Sequence, residues 1–103
     1  MKKKMDIWSF PDIIDFEMAP ILMKQIEEHQ GAAILFDLSN TKTIHSSFIG
    51  LLIHAKKILE SGGADFFLKT SPDIDKLFGM LNLGDYFSRP PTDPAQEYSA
   101  TRH

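Results

Sequence analysis

The sequence contains no cysteine. That absence excludes disulfide staples, thiolate zinc sites, iron–sulfur ligation and a cysteine nucleophile, and it leaves packing as the source of stability. Long apolar runs are missing too. The longest uninterrupted one, Ala32–Phe36, falls far short of the roughly 20 residues that span a bilayer as a helix. Met1-Lys2-Lys3-Lys4 begins like a secretory leader, but Asp6, Ser9, Pro11 and Asp12 interrupt what should be an apolar stretch. Positive charge is scarce and dispersed. Eleven Lys plus Arg stand against fourteen Asp plus Glu, a net charge of −3, which argues against a protein that grips a phosphate backbone. A chain of 103 residues buries about two-thirds of its unfolded surface, enough for one core and one domain. The expectation is a cytoplasmic domain with no membrane span, no nucleic-acid partner and no cofactor.

Helical and extended patterns alternate with short connections, as in an α/β domain. Met5–Phe10, with Ile7, Trp8 and Phe10 before Pro11, reads as a short strand. Met18, Leu22 and Ile26 recur at helical spacing within Phe16–Gln30. Pro20 is tolerated only in a first turn, so this helix is placed from near Glu17 to Gly31. Ala32–Leu38 is short, apolar and bounded by turn residues, the pattern of a buried parallel strand. Phe48, Leu51, Leu52, Ala55 and Leu59 form one stripe of a helix over Ser47–Ser61, which Gly62-Gly63 closes. Asp65–Thr70 reads as a strand. Ser71-Pro72-Asp73 supplies a cap, a first-position proline and an acidic residue for a further helix carrying Ile74, Leu77, Phe78 and Leu81. Asn82–Phe87 suggests a last short strand. The domain is therefore placed over residues 1–87. The tail Ser88–His103, with three prolines and few apolar residues, is expected to be loosely ordered.

Asp37 at the end of a strand is followed by a polar loop, then Ser46-Ser47 at a helix start, Gly50 in its first turn and the Gly62-Gly63 exit. This arrangement resembles the STAS domain, the anti-sigma factor antagonist family, over about Phe10 to Phe87. Ile14-Asp15 before the first helix is similar to the family's Leu-Asp loop, and Ser71-Pro72 with Leu77-Phe78 and Leu81-Asn82-Leu83 to its third-helix segment. The resemblance implies a single STAS-like α/β domain: a small, mostly parallel mixed sheet flanked by helices.

It also implies a non-enzymatic switch that binds a serine kinase acting as an anti-sigma factor. Phosphorylation would fall on Ser46, with Asp15, His45, Ser47, Ile49, Gly50 and Ile53 forming the loop or meeting the partner. His45 stands where the family usually has Asp and Phe48 where it has its first Gly. The N-terminus also has no room for a full strand ahead of Met5–Phe10. A phosphoryl at a helix start is stabilised by the dipole and adds about −1.5 to −2 charge, which repels a partner surface matched to a neutral hydroxyl. His45 adds a charge that varies near neutral pH. The alternative reading is a scaffold subunit of a larger assembly, such as a phospholipid-transport ATPase or a signalling complex, without phosphorylation.

Each residue also has a purely structural role available to it. Ser47 is placed as the helix cap with Ser46 exposed, Asp15 as a cap of the first helix, and Ile49 and Ile53 as core. Enzymatic readings are weaker. His45 beside Ser46, with Asp37 nearby, lacks the Gly-x-Ser-x-Gly elbow of a hydrolase. His29, His45, His54 and His103 show no paired metal-ligand spacing, and there is no glycine-rich phosphate loop.

Overall fold

Residues 33–38 are almost wholly buried, and their side chains alternate between two separate apolar clusters. Ile34, Phe36 and Leu38 belong to one; Ala33 and Leu35 belong to the other. A strand apolar on both faces is the mark of a central parallel strand, and the surrounding architecture satisfies it. A computed structural model describes residues 3–15, 17–29, 33–91 and 98–102. The elements in order are β1 (Lys3–Ser9), β2 (Ile13–Ile14), α1 (Met18–Glu27), β3 (Ala33–Leu38), β4 (Thr43–Ile44), α2 (Ser46–Ser61), β5 (Asp65–Thr70), α3 (Pro72–Met80) and β6 (Tyr98–Arg102). The main sheet runs β5-β3-β1-β6, and β2 and β4 form a separate two-stranded ladder. All pairings are parallel, with Met5 opposite Ala33 and Ala33 opposite Asp65.

One face of the sheet carries the three helices. Leu22 and Ile26 from α1, Phe48, Leu52, Ala55 and Leu59 from α2, and Ile74 and Phe78 from α3 pack in one cluster with Ile34, Phe36, Phe66 and Leu68. Edge-on phenylalanine contacts run through it, from Phe48 to Phe10 (5.6 Å), Phe10 to Phe36 (5.0 Å) and Phe36 to Phe66 (5.2 Å). Such pairs add roughly 0.5–1.5 kcal/mol beyond the area they bury. Helix ends follow the expected chemistry. The Ser71 hydroxyl accepts from the Ile74 amide and Pro72 opens α3. Gly63, at φ 85°, closes α2, with Ala64 N–H bonded to Leu59 C=O at 2.9 Å.

The structure departs from the sequence reading at the end of α1 and over Asn82–Phe87. The end of α1 expected at Gly31 and the strand start expected at Ala32 lie outside the described residues; the described helix stops at Glu27. Asn82–Phe87 is not a strand. Asn82 takes the left-handed conformation, φ 59°, and Leu83 N–H returns to Phe78 C=O at 2.8 Å. This segment is thus the terminating turn of α3, and the strand-like contact falls one residue later, where Ser88 bridges to Phe67.

The largest difference is in residues 98–102, within the segment read as a loose tail. They form β6, parallel to β1, with Tyr98 opposite Lys3 and Arg102 opposite Ile7. The second face of the sheet explains why. Met5, Ile7, Ala33 and Leu35 are buried there, yet among the described residues no helix residue belongs to their cluster. Tyr98 does, and its ring lies edge-on to Phe67 at 5.8 Å while its hydroxyl donates to Asp65 Oδ2 at 2.9 Å. One side chain from the β6 edge therefore reaches β5, on the far side of β1 and β3. Arg102 adds a second crossing, with Nη1 3.7 Å from Asp37 Oδ2. The edge beside β1 is occupied by β6.

Tyr98→Ala is expected to cost about 3 kcal/mol or more, the range for emptying a buried aromatic site, and Tyr98→Phe about 1 kcal/mol for the lost hydrogen bond. Urea denaturation of the two variants measures both. Unchanged midpoints would show that the second face does not need this cover.

Candidate functional site

The turn that opens α2 is built by the small β2–β4 ladder. Ile13 pairs with Thr43 and Ile14 with Ile44, and the His45 amide donates to Ile14 C=O at 3.1 Å. Asp15 and His45, each one residue beyond the ladder, are thereby set side by side. Lys42 and Thr43 amides both donate to the Asp12 carbonyl, at 2.8 and 3.1 Å.

Below this turn lies Thr41, fully buried although polar. Its hydroxyl donates to Pro11 C=O at 2.8 Å, and its own carbonyl accepts from the Ser71 hydroxyl at 2.5 Å. The segment after β1, the segment after β3 and the start of α3 are thus fastened at one residue. Sequence reasoning missed Thr41, because a threonine in a polar loop carries no signal that it will be buried.

His45, not Ser47, caps α2. Its backbone is extended (φ −73°, ψ 145°), and Nδ1 accepts from the Ser47 amide at 3.1 Å while lying 2.8 Å from Ser47 Oγ. Ser46 and Ser47 occupy the first two helical positions, both exposed. Asp15 is exposed as well, and Oδ1 accepts from the Glu17 amide at 3.0 Å. It therefore braces the entry to α1, while Glu17 is the residue at the helix boundary.

Ile49 and Ile53 turn inward: Ile49 is buried in the main cluster and Ile53 packs half-buried against it. The outward stripe of α2 is instead Ser46, Gly50, His54 and Lys57, all exposed at helical spacing. A Cβ on Gly50 would meet nothing within 4 Å, so the fold itself makes no demand for glycine there. Phe48, in contrast, is fully buried and serves the core. Ile13 and Ile21, at 61% and 65% exposure, are apolar side chains left in solvent; Ile13 belongs to the ladder that positions the turn.

Asp37, the penultimate residue of β3, lies on the face opposite the helices. Burial favours its neutral acid, but the Ser39 hydroxyl and amide, at 2.5 and 3.0 Å from Oδ1, together with the charges of Lys69 and Arg102, outweigh that and hold its pKa below the ordinary 3.8. It is not part of a Ser-His-Asp arrangement with His45. Among the described residues no group of three or more His, Asp or Glu side chains is placed to hold a metal, and no helix is long and apolar enough to cross a membrane.

No protein-family model matches the chain, and no curated protein matches it in sequence. A solved structure does match in three dimensions: the anti-sigma factor antagonist SpoIIAA in its unphosphorylated form, TM-score 0.72, at 20% identity, over 93% of this chain and 89% of that one. The fold is STAS-like. It is a single α/β domain with a parallel sheet and three helices among the described residues, as the resemblance carried by Asp37, Ser46-Ser47, Gly50 and Gly62-Gly63 implied.

Because the folded pKa of Asp37 is lowered, the carboxylate contributes stability above the unfolded value near 3.8, and that contribution is lost as the pH falls through the folded value. Asp37→Asn is expected to flatten the fall in stability below about pH 4. Acid titrations of wild type and variant followed by circular dichroism check this; superimposable profiles would contradict it.

Proposed function

We propose that this STAS-like domain is a non-enzymatic interaction switch whose partner surface is the exposed start of α2, turned off by phosphorylation of Ser46. The partner class is a serine kinase that serves as an anti-sigma factor, so that binding releases a sigma factor in a bacterial cytoplasm. The observation that carries the reading is the position of Ser46: exposed, first in α2, in a fold shared with SpoIIAA.

The physics suits a switch. Ser46 stands where the first turn leaves backbone amides without helical acceptors, so a phosphoryl there is favoured by the dipole and the fold need not rearrange. The neighbouring contact surface changes instead. Gly50 leaves a bare spot one turn along, where a partner can approach the backbone, and Ile13 and Ile21 provide exposed apolar area. These take the partner-facing role first given to Ile49 and Ile53, of which Ile49 is buried in the core and Ile53 is half-buried against it.

The scaffold reading is supported by His45 and Phe48, the two departures from the family loop. Both have structural duties, His45 as cap and Phe48 as core.

Incubation with a lysate of the native host and ATP, followed by phosphopeptide mapping, is expected to find phosphate on Ser46 and none on Ser46→Ala. Immobilised wild type is expected to capture a protein kinase that Ser46→Asp does not. Gly50→Ala is expected to stabilise the free domain by about 0.5–1 kcal/mol while weakening that capture. Equal capture by wild type and Ser46→Asp, with no phosphate on Ser46, would replace the switch by the scaffold.

A further inference from the structure

The cap on α2 is made by an ionisable side chain. Capping of this kind requires an acceptor, and imidazole offers one at Nδ1 only when neutral and carrying its proton on Nε2. The contacts show that state: the Ser47 amide points at Nδ1 from 3.1 Å, and Ser47 Oγ lies 2.8 Å away. An amide cannot donate to a nitrogen that already bears a proton.

We propose that His45 is a proton-operated cap: the neutral ring closes the turn that bears Ser46, and protonation opens it. In the closed state the Ser47 amide and hydroxyl both direct hydrogens to Nδ1. When Nδ1 takes a proton, the direction of the side-chain bond reverses, Nδ1–H donating to Ser47 Oγ, while the amide loses its acceptor. The new positive charge also sits at the positive end of the α2 dipole, which opposes it. Both effects loosen the same turn. Histidine is the residue type whose unperturbed charge change falls between about pH 5 and pH 8.

His45 is exposed, and α2 has no acidic residue in its first turn. From β2 the nearest acid in sequence is Asp15, whose Oδ1 accepts from the Glu17 amide; Glu17 follows at the head of α1. From the β4 side come Lys42 and, through its carbonyl, Asp12.

One extension rests on the proposed role of Ser46. A phosphoryl group next to His45 favours its protonated form, and by reciprocity protonation favours the phosphoryl. The modification would then break the cap as well as add charge, altering the shape of the turn and its electrostatics together. An aspartate in the same position, as in the family pattern, would lack this coupling at neutral pH.

The test is an NMR pH titration of the full chain between pH 8 and pH 5, following the Ser47 amide and the His45 ring. In wild type the two are expected to titrate together, with Ser47 amide exchange faster at the acid end. His45→Asn, which accepts at every pH, should hold the Ser47 amide near its wild-type pH 8 position throughout. His45→Ala should hold it near the pH 5 position. A Ser47 amide that does not follow the ring, or one that still titrates in His45→Asn, overturns the proposal. Ser46→Asp is expected to move the shared midpoint to higher pH. If the midpoint stays put while the cap titrates as described, the coupling fails and the cap stands, so the result separates this proposal from the phosphorylation reading.

Discussion

A parallel sheet with apolar side chains on both faces must be covered twice, and most of this structure follows from how that is done. Three helices from the βα connections seal one face. Nothing in the local pattern supplies a cover for the other. The chain solves this by returning after α3 to add β6, whose Tyr98 lies over Met5, Ile7, Ala33 and Leu35. An aromatic ring suits the task, because it spans several strands with few rotatable bonds and ends in a hydroxyl that can bond the far edge. Asp37 and Arg102 place a charged pair where the apolar cover stops.

The crowding of all three helices onto one face also decides what the candidate site can be. With Phe48, Ile49, Leu51 and Leu52 turned inward, the first turns of α2 have a firm base and a polar exterior. The loop before them is fastened from beneath at Thr41, so its position does not rely on surface contacts. Capping and presentation are then divided between neighbours: His45 satisfies the helix, Ser46 faces outward, and Ser47 supports the cap. This division leaves Ser46 exposed at the head of a helix whose cap is formed by another side chain.

Where short-range chemistry determines structure, the sequence was readable. Ser71-Pro72-Asp73 announces α3, Gly62-Gly63 ends α2, and the compact apolar run before Asp37 marks the central strand. The failures share a cause as well. Tyr98-Ser99-Ala100-Thr101-Arg102 is mostly polar because an edge strand has solvent on its outer side, and the ring that gives it value is matched to residues at the other end of the chain. His45 was not read as a cap because histidine is an uncommon choice there, while the serines beside it are common ones. Ile49 and Ile53 stayed open to both a core and a partner-facing reading, because the sequence does not show how wide a face the helix buries.

The pairing of Lys3 with Tyr98 has a kinetic side. The units β1-α1-β3 and β3-α2-β5 each close over short stretches of chain, whereas β6 joins β1 across nearly its whole length. Of the pairings in the main sheet this one closes the longest loop and so carries the largest closure entropy, which favours docking of β6 after the others. Until it does, a nearly finished domain carries a naked apolar face and an unpaired edge on β1, the two features most prone to sticking between molecules. The final strand therefore also sets how long each newly made chain is vulnerable to aggregation.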